Sequence, residues 1–138
     1  MAIRSNNEVK EALIDYLKAV PEIATKVTDF DGTIDIRESQ FQGEAFMYPN
    51  IRLRIITNVP LSKNCDHSSV TYSMAVFSED SDSLQADEIA GIINSYLHDR
   101  QFRSNNIAIS AWTTNVIPAI RIDDRSWRSE VIQRATVS

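Results

Sequence analysis

The chain has 138 residues, a 43% hydrophobic and 24% charged composition and a net charge of −5. Those values predict one globular domain, residues 1–138, and exclude a disordered chain. With 3 glycines there is no scope for a glycine-rich phosphate loop, no apolar run approaches the ~18 residues that cross a bilayer, and residues 1–7 hold no signal-peptide core, so the expectation is a soluble cytosolic domain.

The first 20 residues predict a helix. Ser5-Asn6-Asn7-Glu8 is a capping box, in which the Ser5 hydroxyl accepts from the Glu8 amide. Val9, Ala12, Leu13, Tyr16, Leu17 and Val20 follow as one apolar stripe, and Pro21 ends the helix. Short alternating pieces at residues 26–28 and 33–37 flank Asp31-Gly32, a hairpin-turn signal. Residues 29–44 hold five acidic side chains and one basic one, which predicts a hairpin followed by a mobile acidic loop.

Residues 49–57 predict a strand with Ile51, Leu53 and Ile55 on one face and Arg52, Arg54 and Ile56 on the other. Residues 58–68 read as a polar connection. Residues 69–78 form a second strand, with Val70, Tyr72, Met74 and Val76 together. A second helix starts at Asp82 or Ser83 and reaches about Arg100, with Ile89, Ile92, Ile93, Tyr96 and Leu97 as its stripe. Gly91 within it suggests a close approach to the sheet. Strands are expected at residues 107–116, 119–122 and 127–137, the last presenting Val131, Gln133, Ala135 and Val137 on one side. The order predicts an α+β fold: a mainly antiparallel sheet flanked by two amphipathic helices, plus a hairpin and acidic-loop insertion. The sheet's other face must be solvated or covered by neighbours. Its polar alternates, Arg52 and Arg54 or Thr71 and Ser73, suit either.

Charge is divided along the chain. Residues 1–99 carry 8 basic and 16 acidic side chains; residues 100–138 carry 6 arginines and 3 acids. Such a chain pairs electrostatically with a partner or with its own copies, or else has two oppositely charged faces as a monomer. Net acidity opposes tight groove binding of nucleic acid. Cys65 is the sole cysteine, so there is no internal disulfide, in keeping with a reducing compartment or a secreted protein without bridges.

Few motifs carry chemistry. Asp29-Phe30-Asp31-Gly32-Thr33 is similar to the nucleophile loop of haloacid-dehalogenase-type phosphatases, with Asp29 as nucleophile, Asp31 as acid/base, Asp123-Asp124 as metal pair and Lys63 as the lysine. That loop follows a buried apolar strand, which residues 22–28 are not, and the fold needs more crossovers than one later helix provides. A turn at Asp31-Gly32 is the simpler reading. Asp29 and Asp31 lack the further ligands of a calcium loop. Cys65 with His67 and His98 is too few ligands for a structural zinc and poorly spaced for a thiol nucleophile. No catalytic residue, metal or cofactor is therefore assigned. Trp112 and Trp127 suit sheet packing. The run from Arg121 to Arg128, with Arg125 and Trp127, concentrates residues that anchor interfaces and is the first choice for a partner surface.

Three segments taken together resemble a known family. They are the N-terminal amphipathic helix ended by a proline, Tyr48-Pro49-Asn50-Ile51 leading into a strand, and the strand at 69–78 followed by an acidic turn and a helix at 84–97. With a late strand near 127–137, the chain resembles the tail terminator (tail completion) proteins of long-tailed bacteriophages over nearly its whole length. The resemblance implies a non-enzymatic virion protein, assembled in the host cytoplasm. It implies a six-membered ring that caps the head-proximal end of the tail tube, stops tube polymerisation and joins the head connector. The tail tube protein, the connector or stopper, and DNA in passage would be its partners. The hairpin and acidic insertion has no counterpart in the family. Its Asp29, Asp31, Asp35 and Glu38, together with Arg121, Arg125, Trp127 and Arg128, are the interface residues expected. Rival readings are another neck component such as a stopper, which tends towards a β-barrel, the small phosphatase, and a regulatory domain dimerising through its open sheet face.

Overall fold

The computed structural model describes residues 4–28, 32–39, 48–61, 67–79 and 83–138. Helix α1 (Asn6–Ala19) begins as its capping residues require, with Glu8 N donating to Ser5 Oγ at 3.2 Å. Val9, Ala12, Leu13 and Leu17 form its buried stripe. Pro21 stops α1 and also opens the next turn, helix α2 (Pro21–Ala24), where its missing N–H costs nothing.

The expected hairpin across Asp31-Gly32 is corrected to a single antiparallel bridge, Thr28 to Ile34. Residues Thr25–Val27 form a 3-10 turn, because Ile23 and Val27, four apart, are both fully buried on one helical side. Gly32 has φ +88°, the left-handed geometry of a turn glycine. Beyond it β1 (Ile36–Glu38) pairs in parallel with the next strand, not back on residues 26–28. Asp29, Asp31 and the acidic loop expected after residue 39 lie outside the described residues.

Strands β2 (Asn50–Pro60) and β3 (Ser68–Glu79) form an antiparallel pair longer than expected, extending into the presumed polar connection. A register shift between Ile55 and Thr57 turns Ile56 out to solvent. Helix α3 (Leu84–Leu97) ends before Arg100, since Asp99 takes a left-handed φ of 55° just past the cap. Arg100 instead opens β4 (Arg100–Ser104), a strand the sequence pattern did not suggest. Asn105 and Asn106, at φ 51° and 64°, make the tight turn into β5 (Ile107–Arg121). The two strands expected at 107–116 and 119–122 are one, because Pro118 falls inside a register shift between Ile117 and Ile120. β6 (Ser126–Val137) completes the chain, and Val131, Gln133, Ala135 and Val137 are all buried as their alternation requires. Gly91 lies on the exposed side of α3, with nothing within 4 Å of where a Cβ would stand, so it permits no close approach.

The sheet runs β1-β2-β3-β6-β5-β4, antiparallel except for β1 beside β2. The fold is α+β. Helix α3 packs on β3, β5 and β6, and α1 on β1, β2 and β4, so one face of a curled sheet is sealed. That core holds one polar chain. Tyr72 Oη donates to Gln133 Oε1 at 2.7 Å, and Gln133 Nε2 donates to Thr113 Oγ1 at 3.0 Å. Burial pushes the Tyr72 phenol well above its ordinary 10.0. The folded chain thus keeps this proton above pH 10, where the unfolded chain releases it. The stabilisation is complete below pH 10 and is lost as pH rises beyond it, by about 1.4 kcal/mol per pH unit. In urea titrations the wild type loses stability more steeply than Tyr72→Phe between about pH 9 and pH 11. At pH 7 the variant is less stable by about 1–2 kcal/mol, because Gln133 loses its donor.

Candidate assembly surface

The face of the sheet away from the helices follows from register. Across it run Arg37, Arg52, Ala75, Glu130 and Ile117; Arg54, Ser73 and Ile132; Asn50, Phe77, Arg128 and Ile120; and Thr71, Arg134 and Trp112. Five arginines therefore share it, and among the described residues Asp35 and Glu130 are carboxylates they meet. Buried Asp35 Oδ1 accepts from Arg52 Nη1 at 2.7 Å and also lies 3.4 Å from Arg37 Nε, one carboxylate between two guanidiniums. Glu130 accepts from Ser73 Oγ and lies 3.4 Å from Arg128 Nη2. The Arg128 guanidinium sits 5.8 Å from the Phe77 ring centroid. Between these groups is a recess of about 330 Å³ lined by Ser39, Arg52, Arg54, Ser73, Phe77 and Arg128, with Ala75 in its floor.

The β5–β6 arm is the second feature. β4 pairs with residues 107–111 of β5, so among the described residues no strand lies on the outer side of the rest of β5. Helix α3 covers that edge chemically: Asp87 Oδ1 accepts from Ala119 N at 2.8 Å and His98 Nδ1 from Thr113 N at 3.0 Å. The side chains stay open. Trp112, Ile117 and Ile120 on the outer face of β5, Val116 on its helix side and Ile122 just beyond its end are between 36% and 54% exposed. The arm's tip is built by Asp123, whose Oδ1 accepts from Arg125 N and Ser126 N at 3.0 and 2.8 Å. Those bonds, the Arg125 amide first, hold its carboxyl below the usual carboxylate range. Arg121 donates to the carbonyls of Asp123 and Asp124 at 3.0 and 2.8 Å.

The residues expected at an interface are thereby divided. Arg125 lies at the arm's tip, Trp127 is half-buried beside Arg121, and Arg128 lines the recess. Arg121 is occupied in the turn. Asp35 is also on this side but is buried in ion pairs, and Glu38 turns to the helix side, 3.9 Å from Lys10 Nζ. Asp29 and Asp31 lie outside the described residues, as do Lys63 and Cys65. Arg52, Arg54 and the exposed apolar residues of β5 are candidates to which no sequence motif points. Alternation in 51–56 was the available signal for the first pair; a proline that seemed to break β5 hid the second. The Asp123-Asp124 pair is a turn, and the element before the Asp-Phe-Asp-Gly segment is a 3-10 turn, not a buried strand. Among the described residues no three His, Cys, Asp or Glu side chains are grouped to hold a metal ion, and no helix is long and apolar enough to cross a membrane.

No family model matches the chain, and no curated protein matches it. Its fold is similar to that of a solved chain in the virion of a native gene transfer agent (GTA) particle, with a TM-score of 0.72 over 94% of this chain and 93% of that one, at 15% identity. A second solved chain aligns with a TM-score of 0.61 over 94% of this chain and 90% of that one, at 11% identity. At such identities the likeness is one of fold.

The two recess arginines have different duties. Replacing Arg52 removes the shorter of the two guanidinium contacts of buried Asp35 and leaves it the longer one to Arg37, so Arg52→Leu lowers stability by about 2–4 kcal/mol. Arg54 is exposed and makes no ion pair among the described residues, so Arg54→Ala changes stability by less than about 0.5 kcal/mol. Equilibrium urea unfolding of the two variants checks this contrast.

Proposed function

We propose that this chain is a structural protein of a phage-like particle, without catalytic activity, and that within the particle it is the tail terminator. One observation carries the reading: nearly all of this chain superposes on nearly all of a chain from a gene transfer agent virion. The whole chain, residues 1–138, acts as one such domain. Copies join head to tail into a ring of about six subunits, a heterologous interface that closes on itself. The ring caps the head-proximal end of the tail tube, stops its growth and meets the head connector or stopper, with DNA passing through the centre. It assembles in the host cytoplasm and ends in the virion.

The two faces support that arrangement. The sheet face away from the helices is rich in arginine, whereas α1 and α3 together carry five carboxylates and two lysines. One subunit's sheet face can therefore meet the next subunit's helix layer with opposite charge, which steers association and fixes orientation. Arg125, Trp127 and Arg128, with the apolar row of β5, belong to this contact. Asp29, Asp31 and the rest of the acidic stretch contribute carboxylates to a neighbour or to the tube. A chain of net −5 leaves the channel acidic, so phosphate slides past without binding. The paired helices on one face favour a terminator over a barrel-type stopper.

Light scattering of concentrated protein, with the same sample in negative stain, tests the proposal. Closed rings of uniform mass with an open centre are expected. A stable dimer overturns it, and so does a monomer that fails to bind one end of purified tail tubes.

A further inference from the structure

The recess on the sheet face away from the helices is more than a gap between side chains. Its arginines are supplied by β2 and β6, two strands that do not touch, and are brought together across β3 by register. Arg52 is fixed by Asp35, and Arg128 by Glu130 and the Phe77 ring, so two of the guanidiniums are held in place before anything binds. Arg54 stands exposed at the rim, with no ion pair among the described residues. Counting Arg37 behind Asp35, four guanidiniums and two carboxylates of the described residues meet here, and Arg37 and Arg52 have further partners. Arg54 adds a positive charge that no carboxylate among the described residues meets, and Ser39 and Ser73 add hydroxyls to the lining. Preorganised guanidiniums above an apolar floor of Ala75 and Phe77 match a carboxylate on a short alkyl stem, which can be gripped by planar N–H pairs while its methylenes pack below.

We propose that this recess is a carboxylate-binding site and that its occupant is an Asp or Glu side chain from the helix layer of a second copy of the chain. The proposal rests on the head-to-tail reading above and supplies its anchoring contact. Charge complementarity selects the occupant. The chain's own outer helix surfaces offer carboxylates such as Glu11, which is exposed on α1. A nucleic-acid phosphate is the poorer occupant, since the net charge of −5 repels the polyanion as a whole. The site accounts for an arginine at position 54 that the fold does not use.

The test compares self-association of the full chain by sedimentation velocity for wild type, Arg54→Glu, Arg54→Lys and Arg100→Glu. Arg100→Glu makes the same change in net charge at the far edge of the sheet. The Arg54→Glu association constant is expected to fall at least about tenfold. Arg54→Lys falls between wild type and Arg54→Glu, because it keeps the charge and loses the planar N–H pair, and Arg100→Glu stays within about twofold of wild type, the effect of an exposed charge. Raising salt from about 50 to about 500 mM weakens the wild type towards Arg54→Glu. If wild type forms rings and Arg54→Glu forms them equally well, the carboxylate site is wrong and the ring reading stands. Equal losses in Arg54→Glu and Arg100→Glu also overturn the site, because bulk charge then explains both. A wild type that does not self-associate at any concentration or salt overturns the site together with the contact on which it rests.

Discussion

Helix α1 holds both margins of the sheet, and the rest of the molecule depends on that hold. The strand order places β1 at one edge and β4 at the other, yet α1 packs against both. On the β4 side the Tyr16 and Phe102 rings stack at 3.9 Å, Ser104 Oγ donates to the carbonyl of Ala12 at 2.7 Å, and Asn105 donates to Asp15 at 2.8 Å. On the other side Asn58 donates to the carbonyl of Arg4 at 3.1 Å and to Asn6 at 3.0 Å. A flat six-stranded sheet would be roughly 24 Å from edge strand to edge strand, too wide for one helix of about 10 Å diameter to reach both. The sheet must curl around α1. The same curl leaves α3 to fill the space over β3, β5 and β6, and seals the inner face with the apolar core.

Sealing one face sorts the polar residues. Inside, Tyr72 and Gln133 satisfy one another, whereas the Ser68 and Ser78 hydroxyls are buried without a hydrogen-bond partner among the described residues. Outside, arginines accumulate where no helix lies. This division follows from alternation: β2 and β3 place Ile51, Leu53, Val70, Tyr72, Met74 and Val76 inward, so Arg52, Arg54, Ser73 and Phe77 have to face outward. The outer face is therefore a by-product of core formation in its position, but not in its composition. A merely solvated face needs no guanidinium fixed over a phenyl ring and no buried carboxylate shared between two arginines.

Much of the architecture could be read from periodicity. The capping box and stripe of α1, the inward row of β3 and the inward row of β6 including Gln133 were legible because each is a local pattern with one buried side. What escaped were features decided by tertiary context. β4 was hidden because His98, Asp99 and Arg100 suit a helix C-terminus equally well; a left-handed Asp99 ends the helix and frees Arg100 to start a strand. β5 appeared broken because Pro118 cannot join a regular ladder, whereas a register shift removes the need for its N–H. The hairpin is reduced to one antiparallel bridge, Thr28 to Ile34, because residues 25–27 are drawn into a helical turn that buries Ile23 and Val27. The candidate surface was half legible. Arg128 and Arg125 were visible as a run, but nothing along the chain says that residues 52, 54 and 128 meet, since their proximity exists only through β3.

The arm shows why this surface suits assembly and not merely exposure. A long strand with an open outer edge is a template for uncontrolled pairing. Here two of its N–H groups are given to Asp87 and His98, and a third is deleted by Pro118. Backbone addition along this edge is thus disfavoured, while the apolar side chains of the same strand stay uncovered. Contacts made through side chains carry shape and charge, and so select a partner and an angle. Contacts made through a free backbone edge select neither. A subunit that must close a ring at a fixed rotation needs the first kind and must suppress the second, and β5 does both within one strand.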